Sequence, residues 1–256
     1  MMRLKVLGCS GAEFPGHHLS SFLLDRKILF DAGSLTYVLG ERDQMKIQTI
    51  FVTHAHLDHI MGIPFLADNI IVGNIRHRVS IIAIPSVVKI IKRDLFNSSV
   101  WPDFTEIPNL EESILDLIAL RVGQSIRIDP YTITPYPVNH TVPAVGFLIE
   151  DKGMKRFFYT GDTGPSDETW KKLKGKKIDS LIIDVSFPNE MKEIARRSKH
   201  LTPELLSEEL TKIDPLPETI YATHLKPQYY KTIQRELKEL RIRALHVLRD
   251  GETIRV

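Results

Sequence analysis

Four side chains able to hold a metal ion fall within six positions, in the run His54-Ala55-His56-Leu57-Asp58-His59. Imidazole nitrogen and carboxylate oxygen are ligands suited to zinc, iron or manganese, and such ions activate water for hydrolysis. The run begins where the apolar segment Thr49-Ile50-Phe51-Val52-Thr53 stops, so a strand end feeding a tight loop can aim successive side chains into one pocket. His54 and His56, two apart on a strand continuation, point the same way and can share one ion. Asp58 and His59 fall at the turn into the apolar run Ile60-Met61-Gly62-Ile63-Pro64-Phe65-Leu66, project differently, and suit a second ion. A histidine-rich surface loop is the plain alternative; the density of ligand types directly after a strand favours metal.

Three further candidates close β-like runs downstream. His140 follows Tyr131 to Val138, Asp162 sits in Gly161-Asp162-Thr163-Gly164 after Arg156 to Thr160, and His224 follows Thr219 to Thr223. Each is weak alone, since an Asp in a glycine-flanked turn is common. Together they supply the missing coordination. His200, in Lys199-His200-Leu201-Thr202-Pro203, precedes an expected helix start, where backbone N–H groups favour an anion. An imidazolium there can donate a proton to a phosphoryl oxygen or a leaving alkoxide.

The elements that must position these residues read as β-rich segments interrupted by helices. Strands are expected over 4–8, 21–24, 27–30, 49–52, 79–84, 125–128, 131–135, 146–150, 156–160, 180–184, 219–222 and 244–248. Helices are expected over 87–96, 168–173, 190–198, 203–212 and 229–240. Thr202 is placed to cap the helix at Pro203, whose apolar stripe is Leu205, Leu206 and Leu210, and Ser86 is placed to cap the helix at Val87. The segment 101–109, with two prolines and two aromatics, reads as an ordered loop able to wall the pocket.

Composition sets the class. With 256 residues and 43% hydrophobic content the chain can bury a large core, and residues 1–256 are expected to form one domain. A net charge of only +2 predicts no broad basic groove for nucleic acid, although Lys171 to Lys177 and Arg196 to Lys199 are locally basic. The first of these reads as a solvated helix end. The single Cys9 rules out an intrachain disulfide, fits a reducing compartment, and reads as a packing residue near the site. No run approaches 18 consecutive apolar residues, and Met1 to Gly8 reads as a first strand without a signal-peptide core, so the expected location is cytoplasmic, with no membrane partner.

In this order His-x-His-x-Asp-His, His, Asp, His resembles the metallo-β-lactamase fold superfamily over nearly the whole chain. The resemblance implies an α/β fold, a four-layer αββα sandwich with a binuclear site at one edge of its sheets. Carried over by position, His54, His56 and His140 would hold one ion, Asp58, His59 and His224 the other, and Asp162 would bridge them. Asp31, in Phe30-Asp31-Ala32-Gly33, matches an early Asp-x-Gly element and would orient ligands by hydrogen bonding, or else merely end a hairpin strand after the turn Asp25-Arg26-Lys27.

Finer blocks are similar to the class II 3′,5′-cyclic-nucleotide phosphodiesterases: His54 to Ile63 with Leu57 inside the signature, Val185-Ser186-Phe187-Pro188-Asn189, His200-Leu201-Thr202-Pro203 and Thr223-His224-Leu225-Lys226-Pro227. Pro64 departs from the aliphatic residue usual there. The resemblance implies two divalent ions, zinc first with manganese or iron as alternatives. They would activate a hydroxide that opens a cyclic phosphodiester to the nucleoside 5′-monophosphate. Asp58 would orient the hydroxide, and the ribose 3′-oxygen would leave, helped by His200 or by a metal. The glycine-rich opening Gly8 to His18 would line the substrate side, with Ser10 and His200 as substrate contacts and His17 and His18 as packing residues. The partner is a small phosphodiester, and a homodimer is compatible with the sequence.

The rival within the superfamily is a tRNA 3′-processing endonuclease, which carries a tRNA-gripping arm between the third His and the bridging Asp. Here only 22 positions separate His140 from Asp162, too few for that arm. A thiolester or lactone hydrolase would use the same clamp on a carbonyl. A non-catalytic scaffold on the same fold would have lost ligand positions, and all seven remain.

Overall fold

In a computed structural model that describes residues 2–73 and 76–255, the short apolar runs become strands of two sheets. The first sheet carries β1 (Arg3–Gly8), β2 (Ser21–Leu24), β3 (Ile28–Phe30), β4 (Thr49–Phe51), β5 (Val79–Ala83) and β6 (Leu115–Ala119), side by side in that order. The second carries β7 (Ile126–Ile128), β8 (Tyr131–Pro137), β9 (Val145–Glu150), β10 (Arg156–Tyr159), β11 (Ser180–Asp184), β12 (Thr219–Thr223) and β13 (Leu245–Val247). The chain then returns to the first sheet, where β14 (Thr253–Arg255) pairs antiparallel with β1.

Both sheets open antiparallel and continue parallel. The change falls at β3 and β4 in the first and at β10 and β11 in the second. Parallel strands covered on both faces need unbroken apolar sequence, which is what β4 (TIF) and β11 (SLIID) have, every residue of each being buried.

The sheets face one another through aromatic rings. Phe51 and Phe147 meet edge-on at 5.3 Å between centroids, Phe30 and Phe157 edge-on at 5.9 Å, and Phe22 and Tyr159 at a tilt at 4.9 Å. On the outer face of the first sheet, the helices Gly62–Val72 and Pro85–Ile90 bury Ile63, Leu66, Ile70 and Val87 in the same core. Outside the second sheet, Trp170, Ala195, Leu205, Leu206, Ile233 and Leu237 come from the helices Asp167–Leu173, Lys192–Ser198, Pro203–Leu210 and Tyr230–Glu239. Helices, sheet, sheet and helices make the αββα sandwich expected from the sequence.

Differences from expectation have local causes. Ser86 does not cap a helix at Val87: the helix starts at Pro85, with Ile84 as its N-terminal flanking residue and no side-chain cap. Proline presets the helical φ and has no N–H to leave unpaired, so the first turn begins on it and Ser86 falls inside. That helix also gives way at Ile91 to a π-helical turn, Ile91–Leu95, within the expected span 87–96. Thr202 does cap its helix, its hydroxyl accepting from the Leu205 N–H at 3.3 Å. The loop 101–109 is packed, with Trp101 edge-on against Phe65 at 5.2 Å and Phe104 buried. Lys171 and Lys172 lie exposed in the last turn of their helix.

Candidate metal centre

Every expected ligand follows the carboxyl end of a strand: His54 follows β4, His140 β8, Asp162 β10 and His224 β12. Such ends line up along one rim of a sheet, where ligands of open α/β sheets characteristically bind. The loop after β4 enters a short helix, Leu57–Ile60, that carries Asp58 and His59.

The structure brings all seven side chains into two groups that share Asp162. Ligand atoms of His54, His56, His140 and Asp162 lie within 4.8 Å of one another, and so do those of Asp58, His59, Asp162 and His224. In the first group His56 Nδ1 is 3.0 Å from His54 Nε2 and 3.3 Å from His140 Nε2, and Asp162 Oδ2 is 3.6 Å from His54 Nε2. In the second, Asp162 Oδ1 is 3.3 Å from both His59 Nε2 and His224 Nε2, and Asp58 Oδ2 is 3.3 Å from His224 Nε2. One carboxylate thus turns an oxygen toward each group.

Four of the imidazoles are oriented through their other nitrogen. His59 Nδ1–H donates to Asp31 Oδ2 at 2.8 Å, and His140 Nδ1–H to the Lys199 carbonyl at 3.2 Å. His54 Nδ1–H donates to the Thr53 hydroxyl, which donates to Asp31, and His224 Nδ1–H donates to the Ser186 hydroxyl, which donates to Asp184. These bonds fix the tautomers and turn Nε2 toward the shared space, the arrangement that metal-binding histidines require. Asp31 also accepts from the Thr53 N–H and the Tyr159 hydroxyl, so it does more than end a strand.

Electrostatics agree with a cation at this place. Burial, with His59 next, pulls His54 well below the ordinary imidazole range, leaving a neutral ring with a lone pair. Burial acts the same way on His59, but the Asp162 and Asp31 carboxylates outweigh it and hold a proton on that ring. Burial alone would raise Asp162, yet His224 and His59 keep it well below the carboxylate range. Asp58 is lowered too: burial would raise it, but the His224 hydrogen bond and the charges of His59 and His224 together outweigh burial. His59 Nε2 and Asp162 Oδ1 are buried without a hydrogen-bond partner, a costly state that a cation between them would relieve. The donor set therefore fits divalent metal, which would displace the His59 proton on binding.

His200 adjoins this centre. Its Nδ1–H donates to Asp184 Oδ2 at 2.6 Å, and its ring lies parallel to that of His224 at 5.3 Å and edge-on to that of His140 at 5.2 Å. Burial opposes the charge on His200, and Asp184 more than restores it, raising its pKa.

Sequence reasoning missed Asp184, Ser186, Thr53 and Tyr159 as members of the site. Asp184 is fully buried and also accepts from the Thr163 N–H at 3.1 Å. Its signal was its place as the polar last residue of an apolar strand, the same place that marked the ligands. Ser10 has its hydroxyl 3.3 Å from His17 Nδ1, and its backbone bridges Leu19 and Leu225. His18 packs through Asp250 and Tyr37, and Cys9 is buried with its thiol on Asp250.

The beta-lactamase superfamily domain matches residues 26–225, and the chain belongs to that family. Its His/Asp cluster gives it the donor set of a divalent-metal site. Among curated relatives, the probable 3′,5′-cyclic-nucleotide phosphodiesterase of Yersinia pestis is 28% identical over 211 residues, 73% of this chain and 59% of that protein. Ribonuclease Z of Methanococcus maripaludis is 25% identical over 287 residues, 89% of this chain and 88% of that one. The chain spans less than three fifths of the length of the curated bacterial phosphodiesterases it matches, 59% and 56%. Unliganded yeast PDE1 has the same fold, with a TM-score of 0.82 at 18% identity over 98% of both chains.

Proposed function

We propose that the chain is a metal-dependent hydrolase, a phosphodiesterase that opens a 3′,5′-cyclic nucleotide, cyclic AMP or cyclic GMP, to the nucleoside 5′-monophosphate. The observation that carries the reading is His200, held by Asp184 and stacked beside His224, which sets a proton donor next to the metal centre. The name of the Yersinia pestis protein supports the substrate class.

His54, His56 and His140 would hold one cation and Asp58, His59 and His224 the other, with Asp162 shared between them. When bound, two zinc ions would supply Lewis acidity to the phosphoryl oxygens and lower the pKa of a water. Asp58, a half-buried member of the second group, orients the attacking water. His200 keeps its proton on Nε2, because Nδ1–H is committed to Asp184, and passes it to the departing 3′-oxygen. Asp31, Thr53 and Ser186 keep the imidazoles from turning.

The nuclease reading lacks an arm. Most of the 21 residues between His140 and Asp162 are taken up by β9, β10 and the turn at Asp151 to Lys155, an antiparallel hairpin inside the sheet. Assays of the zinc- or manganese-loaded protein against cyclic AMP, cyclic GMP, pre-tRNA and a thiolester test the proposal. Turnover of the cyclic nucleotides is expected. Cleavage of pre-tRNA alone would reverse it, as would turnover of the thiolester alone, and bound metal well below one ion per chain would point to a scaffold.

A further inference from the structure

Away from the metal centre, a trough of about 1160 Å³ opens between the helix Tyr230–Glu239 and the edge strands β13 and β14. Among the described residues that line it, six side chains are cationic, Lys231, Arg235, Lys238, Arg241, Arg249 and Arg255, and one, Glu252, carries a carboxylate. That is a local excess of five positive charges in a chain whose total is +2. All six are exposed. Arg235 lies 3.9 Å from Glu239, while among the described residues Lys231, Lys238, Arg241, Arg249 and Arg255 form no ion pair.

The charges form a line. Lys231, Arg235 and Lys238 follow the i, i+4, i+7 spacing of one helix face, while Ile233 and Leu237 are buried. From Lys231 to Arg241 the line runs roughly 15 Å at about 1.5 Å per residue. One end of the line meets the opening loop: the Tyr230 ring is 6.0 Å from that of His17, and Asp250, next to Arg249, accepts from the N–H groups of Cys9 and His18. The trough also presents π faces, with Tyr221 and His246 at 5.9 Å between centroids.

Lysine and arginine on edge strands often serve only to block edge-to-edge pairing. Three of these cations stand instead on the helix across the trough, so edge protection does not account for them. A concave line of cations does not match a planar membrane, and a single phosphate would need far fewer charges. We propose that the trough binds a single strand of nucleic acid, phosphates along the cationic line and a base against Tyr221 and His246. This site is separate from the metal centre and does not depend on the reaction assigned to it.

The test is fluorescence anisotropy of a labelled single-stranded 12-mer of deoxythymidine with the metal-loaded protein, between 50 and 200 mM salt. At roughly 0.7 per phosphate neutralised, three or more contacts give a slope of log affinity on log salt of about −2 or steeper. The triple variant Lys231→Gln, Lys238→Gln, Arg241→Gln should weaken binding at least about tenfold and flatten the slope by about 2. Lys171→Gln, Lys172→Gln, Lys174→Gln, on another basic surface, should bind as the parent does. If the first triple does not fold, the surface variants Lys238→Glu and Arg241→Glu, each made alone, read the same contrast. No binding at 50 mM salt, equal weakening by both triples, or equal affinity for inorganic polyphosphate or anionic vesicles would each overturn the proposal. Asp162→Ala, which disables the metal centre, should leave strand affinity unchanged, so failure here is distinguishable from failure of the hydrolase reading.

Discussion

A single buried carboxylate, Asp184, steers two imidazoles: His200 directly, and His224 through the Ser186 hydroxyl. If His200 supplies the proton to the leaving oxygen, His200→Ala should keep its metal and lose about 10²- to 10⁴-fold in kcat. Asp184→Asn should lose less, and the double variant should be no slower than His200→Ala, because groups acting as one unit are not additive. Multiplying losses, seen in single-turnover kinetics, would mean that Asp184 acts through His224 instead. Asp162→Ala is the complementary experiment. It removes the carboxylate that faces both ligand groups, so both metal content by elemental analysis and turnover should collapse, and full activity with metal retained would refute the shared role. The candidate ligands were legible because ligand chemistry recurs at strand ends with tight spacing. Asp184 was passed over, since one Asp closing an apolar run marks a strand end and says nothing of the histidines it meets from distant parts of the chain.

At the scale of elements, the rim works because its turns pass through conformations that cost energy elsewhere. Asp31 and His224 both have left-handed backbone, with φ of 54° and 65°, at the turns that deliver their side chains to the centre. Gly11 is required for a different reason: a Cβ there would lie 2.4 Å from the His224 carbonyl oxygen and 2.6 Å from its Nδ1. Gly11→Ala should therefore push His224 out of line and cost tenfold or more in metal affinity, measured by competition with a chromogenic chelator, the order of effect seen when ligand orientation is disturbed. Unchanged affinity would show that the opening loop yields before His224 does. Helix starts marked by proline and threonine, and strands made of unbroken apolar residues, were legible. The helices Leu35–Val38 and Glu41–Gln44 were not, being about one turn each and too short to show a period. β6 and β14 were missed because edge strands need only partial burial and so carry a weaker apolar pattern.

For the molecule as a whole, the sandwich was legible through resemblance, whereas periodicity alone gave strands without their order; the pairing of β14 with β1 joins residues some 250 positions apart. Stability of that whole is linked to the cations, because ions that bind only the folded chain add about 2.7 kcal/mol at a hundredfold excess over Kd. Chelation should lower Tm by roughly 5 to 10 °C on that basis, read by scanning calorimetry, and an unchanged Tm would argue against metal held by folded ligands. Acid acts at another joint. Burial would raise the pKa of Asp179, but hydrogen bonds from Lys177, the Arg156 N–H and Lys155 outweigh it and hold it at about 2. This carboxylate ties the start of β10 to the start of β11, where the second sheet turns parallel. A folded value below the unfolded one, about 3.9, means that its contribution is complete above about pH 4 and fades as the pH falls through about 2. Asp179→Asn should therefore cost about 1 to 3 kcal/mol in urea unfolding of the chelated protein at pH 7. The gap to the parent should narrow steadily below pH 4, and a gap independent of pH would assign the loss to packing rather than to the charge.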